Sequence, residues 1–303
     1  MKKYLIHSLL CALAFGAEYT LDPQKVDDGL WCVYGDLNPP TKENKGFVSN
    51  VCWVENGESL TLLDAGPTTV FAKELERAIA TTTKKKIEHV VLTNYHDDRI
   101  LAASYFQSQG AKTLAHKNMI SGIQENPQKY ERLVALLTKE QYAGTKLPQI
   151  DITFETESFE LGSIVVHKLS DVAETASDIV VYMPEQKAIF AGNILFGERA
   201  LNYDKDSNLN GWLEALEKME AMDIKYYIPG HGTKVDDSSF KITQNYLTTL
   251  YTQTKVAYED GIELEEISSA VAMDEFSSLL NYKQRHMLNL YNLYQDFEFE
   301  IVE

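Results

Sequence analysis

Apolar residues in this chain come in short runs bounded by turn formers. Residues 30–34, 51–54 and 60–64 are rich in β-branched and aromatic side chains and are separated by Gly, Asn and Pro, the pattern of an antiparallel meander. The spacing then changes. Phe71, Leu75, Ala78 and Ile79 recur on one helical face, which predicts a helix over 69–82. A buried strand at 90–93 ends in a polar turn, 94–99, followed by a helix through Ala102, Tyr105 and Phe106 and a strand at 111–116. After the loop around Pro148 a second cycle begins. Strand-like runs at 150–154, 158–161, 164–169, 179–183 and 188–191 precede a helix at 209–222 and a strand at 226–228. Two such halves predict an α/β protein of the α+β kind, with two sheets face to face and helices outside, a four-layer αββα sandwich. From residue 238 the pattern is helical, with Leu247, Leu250, Tyr251, Met287, Leu288, Tyr291 and Tyr294 at core spacing. Residues 238–303 are therefore expected to form a helical C-terminal extension packed on the sandwich.

The first residues alter the picture of where the domain works. Lys2 and Lys3 precede an apolar stretch over 4–15, and Ala14, Gly16 and Ala17 supply small residues for cleavage, the signature of a secretory signal over 1–17. The stretch is too short to span a bilayer. A sandwich domain over 18–237 is then expected in the periplasm or outside the cell. Cys11 lies inside the apolar run and is not read as a lipidation site. Cys32 and Cys52 remain where thiols oxidise, either as a disulfide or as two small buried hydrophobes on separate strands. The formal charge is −17, and the signal carries two lysines and no acids, so the mature chain is more acidic still. Such a field disfavours nucleic acid as a partner and leaves a small-molecule substrate or ligand as the expected one, with no membrane span and a partner protein unspecified.

Polar residues at strand ends are the natural site candidates, because strands fix them while loops expose them. Asn94, His96, Asp97, Asp98 and Arg99 form the densest cluster; Glu174 within 171–178, Asn193 after Gly192, and His231 between Gly230 and Gly232 form the others. Imidazoles and carboxylates on separate strand ends can converge on a divalent cation. The alternative is a set of solvated or self-paired loops. His89, His116 and His167 lie in or beside strand-like runs and are read as strand-end or core residues, and His286 as a surface residue of the tail.

The order and spacing of these clusters, with Leu63-Asp64-Ala65-Gly66 upstream, resemble the metallo-β-lactamase superfamily over about residues 30–236. The tail is similar to that of secreted members related to sulfur-oxidation and quinoprotein accessory hydrolases. The resemblance implies a first loop of the form Thr-His-x-His-x-Asp-His, three histidines on one zinc, and a second metal held by an aspartate, further histidines and a bridging aspartate. Position by position, His96, Asp98 and His231 are retained, whereas Asn94, Glu174, Asn193 and Arg99 replace a histidine, a histidine, the bridging aspartate and the last loop histidine. Several true β-lactamases also have arginine at the Arg99 position, and their carbapenem-specific subclass has asparagine first. That subclass nevertheless uses histidine at Glu174, cysteine at Asn193 and a substrate-binding lysine at Phe196. Asp64 ends its strand as the family's aspartate does and is expected to orient the loop by accepting backbone hydrogen bonds.

A neutral amide such as Asn193 is a poor zinc ligand and cannot bridge two cations, so a two-metal centre is not expected. Glu174 is a hard ligand that with His96, Asp98 and His231 completes a set for one Zn²⁺, Mn²⁺ or Fe²⁺, Asn94 and Asn193 adding only neutral oxygens. Arg99, a permanent cation, could instead neutralise Asp98 or Glu174 in the metal's place. The first reading is thus a one-metal hydrolase of an ester, thioester or amide, in which Asp98 or Asp97 orients water and Arg99 steers an anionic group. The other is a non-catalytic relative that binds a small molecule or partner protein in the same cleft. On either reading β-lactams are poor substrates. Carbapenem turnover assayed with added zinc should stay below a kcat/KM of roughly 10⁴ M⁻¹s⁻¹, the low end for real enzymes, and a higher value contradicts this.

Overall fold

The structure is a computed structural model that describes residues 19–299; the expected signal segment, 1–17, lies outside the described residues. The first half runs β1 (Gln24–Asp27), β2 (Leu30–Val33), β3 (Val51–Asn56), β4 (Ser59–Leu63), α1 (Thr69–Thr82), β5 (Ile87–Val91), α2 (Asp97–Ile100), α3 (Ala103–Ser108) and β6 (Lys112–His116). Next come α4 (Asn118–Glu125), α5 (Pro127–Leu136), β7 (Ile152–Phe154), β8 (Ser158–Leu161), β9 (Ile164–His167), β10 (Val180–Met183) and β11 (Ala188–Phe190). The chain ends with α6 (Leu209–Glu220), β12 (Tyr226–Ile228), α7 (Ser238–Glu259), α8 (Ile267–Ala270) and α9 (Tyr282–Glu298).

Strands β1 to β7 form one sheet and β8 to β12 the second, each strand beside its neighbours in sequence. The antiparallel meander of β1 to β4 gives way to parallel pairing of β4, β5, β6 and β7, each crossover carrying helices, as parallel neighbours require. Alternation along a strand decides which layer each residue joins. In β3, Cys52 and Val54 face the second sheet and meet a layer containing Val166, Val181 and Phe190. Val51 and Trp53 face outward into a cluster with Phe71, Leu75 and Phe106 of the helices over the first sheet. Ile189 and Ala191 face the other way, under Trp212, Leu216, Leu247 and Leu250. The four-layer αββα order expected from the pattern is the observed one.

Cys32 and Cys52 are direct partners in the β2–β3 register and form a disulfide, which resolves the alternative left by the sequence. Closing a loop of this length removes unfolded-state entropy that stabilises the fold by about 3 kcal/mol. No helix among the described residues is long and apolar enough to cross a membrane.

Two differences from the sequence pattern bear on the cleft. Helices α4 and α5 fall where no element is expected, because their apolar faces are narrow: α4 buries Met119, and α5 only Tyr130 and Leu133. In α9 the helical period is as expected but its phase is not. Met287, Leu288 and Tyr291 are 52%, 40% and 45% exposed, and the buried face carries His286, Asn289, Leu290, Leu293, Tyr294 and Phe297. Polar residues occupy the core side because they are satisfied there. His286, expected at the surface, lies between the Tyr246 hydroxyl at 3.1 Å and the Val271 carbonyl at 2.8 Å. Asn289 donates to the Leu201 carbonyl at 3.1 Å and accepts from the Tyr203 amide at 2.9 Å, tying the tail to a loop beside the cleft.

Candidate active-site cleft

The site is built outward from the end of β4. Asp64 takes a left-handed conformation (φ 57°) that turns its carboxylate under the neighbouring strand end. There it accepts from the Thr93 amide at 2.8 Å and the Thr93 hydroxyl at 2.8 and 3.0 Å, the loop-orienting role expected of it. It also has a stronger partner. Arg99 Nη1 lies 2.5 Å from Asp64 Oδ2, and both side chains are wholly buried. Sequence reasoning placed Arg99 against Asp98 or Glu174 and gave it the task of steering an anionic group. The structure gives it nearer partners, because the guanidinium is enclosed beneath the cleft and engaged by Asp64 and, through Nη2, by the amide oxygen of Asn193. Burial opposes the Arg99 charge, but Asp64, Asp98 and Glu174 outweigh it and hold the pKa above the ordinary value. The close approach needs Gly230, where a Cβ would overlap the guanidinium and the Gly192 carbonyl.

Asn193, on the turn after β11, relays this order upward. With its oxygen turned to Arg99, its Nδ2 points to His96 Nδ1 at 3.1 Å and Glu174 Oε2 at 3.3 Å. Asn94 likewise donates to Glu174 Oε2 at 3.3 Å and to Asp178 Oδ1 at 3.1 Å, and its own oxygen accepts from the His96 amide at 3.1 Å. His96 Nε2 faces the Lys129 ammonium at 3.2 Å and Glu174 Oε1 at 3.5 Å. Burial, then Lys129, Arg99 and Arg132, hold His96 well below its usual range, so it is neutral. Burial, then Asp178 and Asp204, push the Glu174 carboxyl well above the ordinary range.

On the far side of Asn193, His231 sits in a loop pinned by Asn50, whose Nδ2 donates to the carbonyls of Pro229 at 2.9 Å and Gly232 at 2.7 Å. Its Nδ1 lies 2.7 Å from the Val48 carbonyl, its Nε2 is 3.7 Å from Asp98 Oδ2, and Phe196 stacks on the ring. Asp97 turns away to Arg132 at 3.3 Å; burial and the adjacent Asp98 push its carboxyl up to about 6.

All the candidate residues therefore gather in one place, but as two pairs, His96 with Glu174 and Asp98 with His231. Among the described residues no three His, Cys, Asp or Glu side chains are arranged to hold one ion. The family's two-metal centre does not fit this donor set. The Nδ1 lone pair of His96 and the Oε2 of Glu174 are taken by amide donors, and the guanidinium of Arg99 supplies positive charge directly beneath them. A cleft of about 320 Å³ opens above these residues. Its walls include Lys129 and Arg132 of α5, Arg199 and Asn202 of the loop after β11, and Arg285, Leu288 and Asn292 of α9. Sequence reasoning named none of these as site residues and placed Leu288 in the core. They are spread over three segments far apart in sequence, and no local pattern marks them.

The chain matches the sequence model of a family described as the metallo-β-lactamase superfamily over residues 44–231. It is 22% identical over 251 residues to a type 2 metallo-β-lactamase of Elizabethkingia meningoseptica, covering 80% of this chain and 92% of that protein. A type 2 enzyme of Bacillus sp. (strain 170) is 25% identical over 227 residues, covering 72% and 78%. Among solved structures, DIM-1 metallo-β-lactamase superposes with a TM-score of 0.59 at 18% identity, covering 76% of this chain and 97% of that one. FIM-1 from Pseudomonas aeruginosa, in its mono-zinc form, gives 0.60 at 22%, covering 77% and 97%. The family match stops before α7, α8 and α9.

Removing one partner of a buried ion pair leaves the other charge uncompensated, which typically costs about 3–5 kcal/mol. Asp64→Asn should lose stability of that order in urea unfolding, and combining it with Arg99→Met should recover much of the loss. A single variant as stable as the parent would show that the pair does not hold the site together.

Proposed function

The chain belongs to the metallo-β-lactamase superfamily, and from that premise we propose that its cleft binds a small molecule through a network of side chains in place of the family's metal ions. One observation carries this reading: Asn193, with its oxygen on Arg99 and its amide nitrogen on His96 and Glu174, joins the groups that would otherwise be free for metal. Asn193 ties these groups together, so a dication entering the site would have to displace hydrogen bonds and face the fixed cation of Arg99. The binding unit on this reading is the sandwich over 18–237 with the helical extension over 238–303. The signal-like residues 1–17 and the Cys32–Cys52 bond support a periplasmic or secreted location.

A second reading, the one-metal hydrolase built on His96, Asp98, Glu174 and His231, is favoured by a separate observation. The Val48 carbonyl fixes the Nδ1–H of His231 and leaves Nε2 turned toward Asp98, the kind of support that metal-binding histidines have.

Elemental analysis of protein purified without chelator or a nickel column, followed by titration calorimetry with Zn²⁺ and Mn²⁺, separates the two. The first reading predicts far less than one equivalent of metal and no binding at micromolar concentration, with capacity gained in Asn193→Asp as a carboxylate returns. A full equivalent in the parent protein, lost in Glu174→Ala, overturns it in favour of the second.

A further inference from the structure

Met287, Leu288 and Tyr291, the residues of α9 that the sequence pattern placed in the core, stand in solvent together. Residues three and four apart on a helix are neighbours, so the three form one stripe, continued by exposed Gln284. The stripe carries no charge. Residues 286–295 include no Asp, Glu, Lys or Arg in a chain that is 24% charged, whereas α1 exposes Lys73, Glu76 and Arg77. Apolar side chains grouped in water forgo the stabilisation of burial, and a contiguous apolar patch rimmed by polar groups marks a binding surface.

The stripe runs into the cleft. Arg285, Leu288 and Asn292 share one face of α9 and line the cleft, so Leu288 belongs to both surfaces. Two contacts fix this face in place: Arg285 Nη1 donates to Asn202 Oδ1 at 2.7 Å, and Asn292 Nδ2 donates to the Tyr203 carbonyl at 2.8 Å. Inside the cleft the apolar lining goes on to Val48 and to Phe196, which stacks on His231. The rest of the lining is largely polar and includes Asn193, Asn202 and Asp204. A second copy of the chain is a poor occupant for the stripe. Three half-exposed side chains offer on the order of 300 Å², well short of the roughly 800 Å² that each partner buries in a stable dimer. Two copies would also bring together chains of formal charge −17.

We propose that the ligand of the cleft is an amphiphile, with its polar head among the polar side chains of the cleft and an apolar chain along Leu288, Met287 and Tyr291. From Gln284 to Tyr291 the helix advances about 10 Å, the length of a chain of about eight carbons. The helical extension, outside the segment that matches the family, thus sets how long a ligand is selected. The proposal rests on the reading of the cleft as a small-molecule site.

Titration calorimetry of the full mature protein with neutral hexyl, octyl and decyl glucosides, each below its micelle concentration, tests it. The expected result is one equivalent bound, with affinity rising about twofold per added carbon, half the factor that full burial of a methylene gives, up to octyl and no further. Hexyl glucoside should compete with octyl glucoside for the same site. Met287→Gln and Tyr291→Gln should each weaken octyl glucoside at least about threefold, with circular dichroism and melting temperature unchanged. Val256→Gln, at an exposed apolar position of α7, should leave it unaltered. Absence of binding throughout the series, an affinity that ignores chain length or keeps rising to decyl, a lack of competition, or an equal loss in Val256→Gln overturns the proposal. So does a dimer in sedimentation velocity, or flotation with phosphatidylcholine vesicles, that Met287→Gln abolishes, since a second copy or a membrane then covers the stripe. A protein that holds no metal and shows no dependence on chain length loses this proposal and keeps the metal-independent reading; one that holds metal and still prefers octyl to hexyl does the reverse.

Discussion

The buried ion pair between Arg99 and Asp64 is the interaction on which the cleft depends. Two charges taken wholly out of water need partners, and here Thr93 donates to the carboxylate and Asn193 accepts from Nη2 of the guanidinium, while Arg99 Nε is left without an acceptor. The backbone closes the same knot. The Arg99 carbonyl accepts from the amides of Ala65 at 2.8 Å and Gly66 at 3.0 Å, so the turn after β4 and the start of α2 cannot move independently. Because Asn193 has one amide, turning its oxygen toward Arg99 obliges its nitrogen to face His96 and Glu174. The state of the upper site is therefore set from below.

The fold makes this possible by bringing strand ends of both sheets to one edge of the sandwich. Asp64 and Thr93 follow adjacent parallel strands of the first sheet, while Asn193 and His231 follow β11 and β12, a parallel pair of the second. Ligand sites in sheets of this kind lie outside the carboxyl ends of parallel strands. What the chain adds is the tail, which packs against the helical layer of the second sheet and reaches the cleft through α9. The pocket is thus closed on one side by residues beyond the family match.

Much of this was legible in the sequence, for physical reasons. Strands buried on one or two faces announce themselves by β-branched runs and turn formers, and the polar clusters at their ends mark Asn94, His96, Asp98, Glu174, Asn193 and His231 as neighbours. Their orientation was not legible, since a sequence does not say which way an amide such as Asn193 points, and that choice decides whether carboxylates and imidazoles meet an ion or one another. The phase of α9 was hidden because its core side carries His286 and Asn289, polar residues whose partners lie on other segments. Helices α4 and α5 escaped notice through their narrow apolar faces, and Lys129 and Arg132 with them. Arg199 and Arg285 line one cleft through the bridge between Leu280 and the loop after β11, a contact without local signature.

The central claim is that Arg99 and Asn193 occupy in this chain the role that metal plays in its relatives, and crystals soaked in zinc and measured at the zinc absorption edge test it most directly. The account predicts no anomalous peak between His96, Glu174, Asp98 and His231, with the Arg99 guanidinium still joining Asp64 to the Asn193 oxygen. A peak at that position, with Asn193 turned away and the two pairs of side chains closed around the ion, would contradict it.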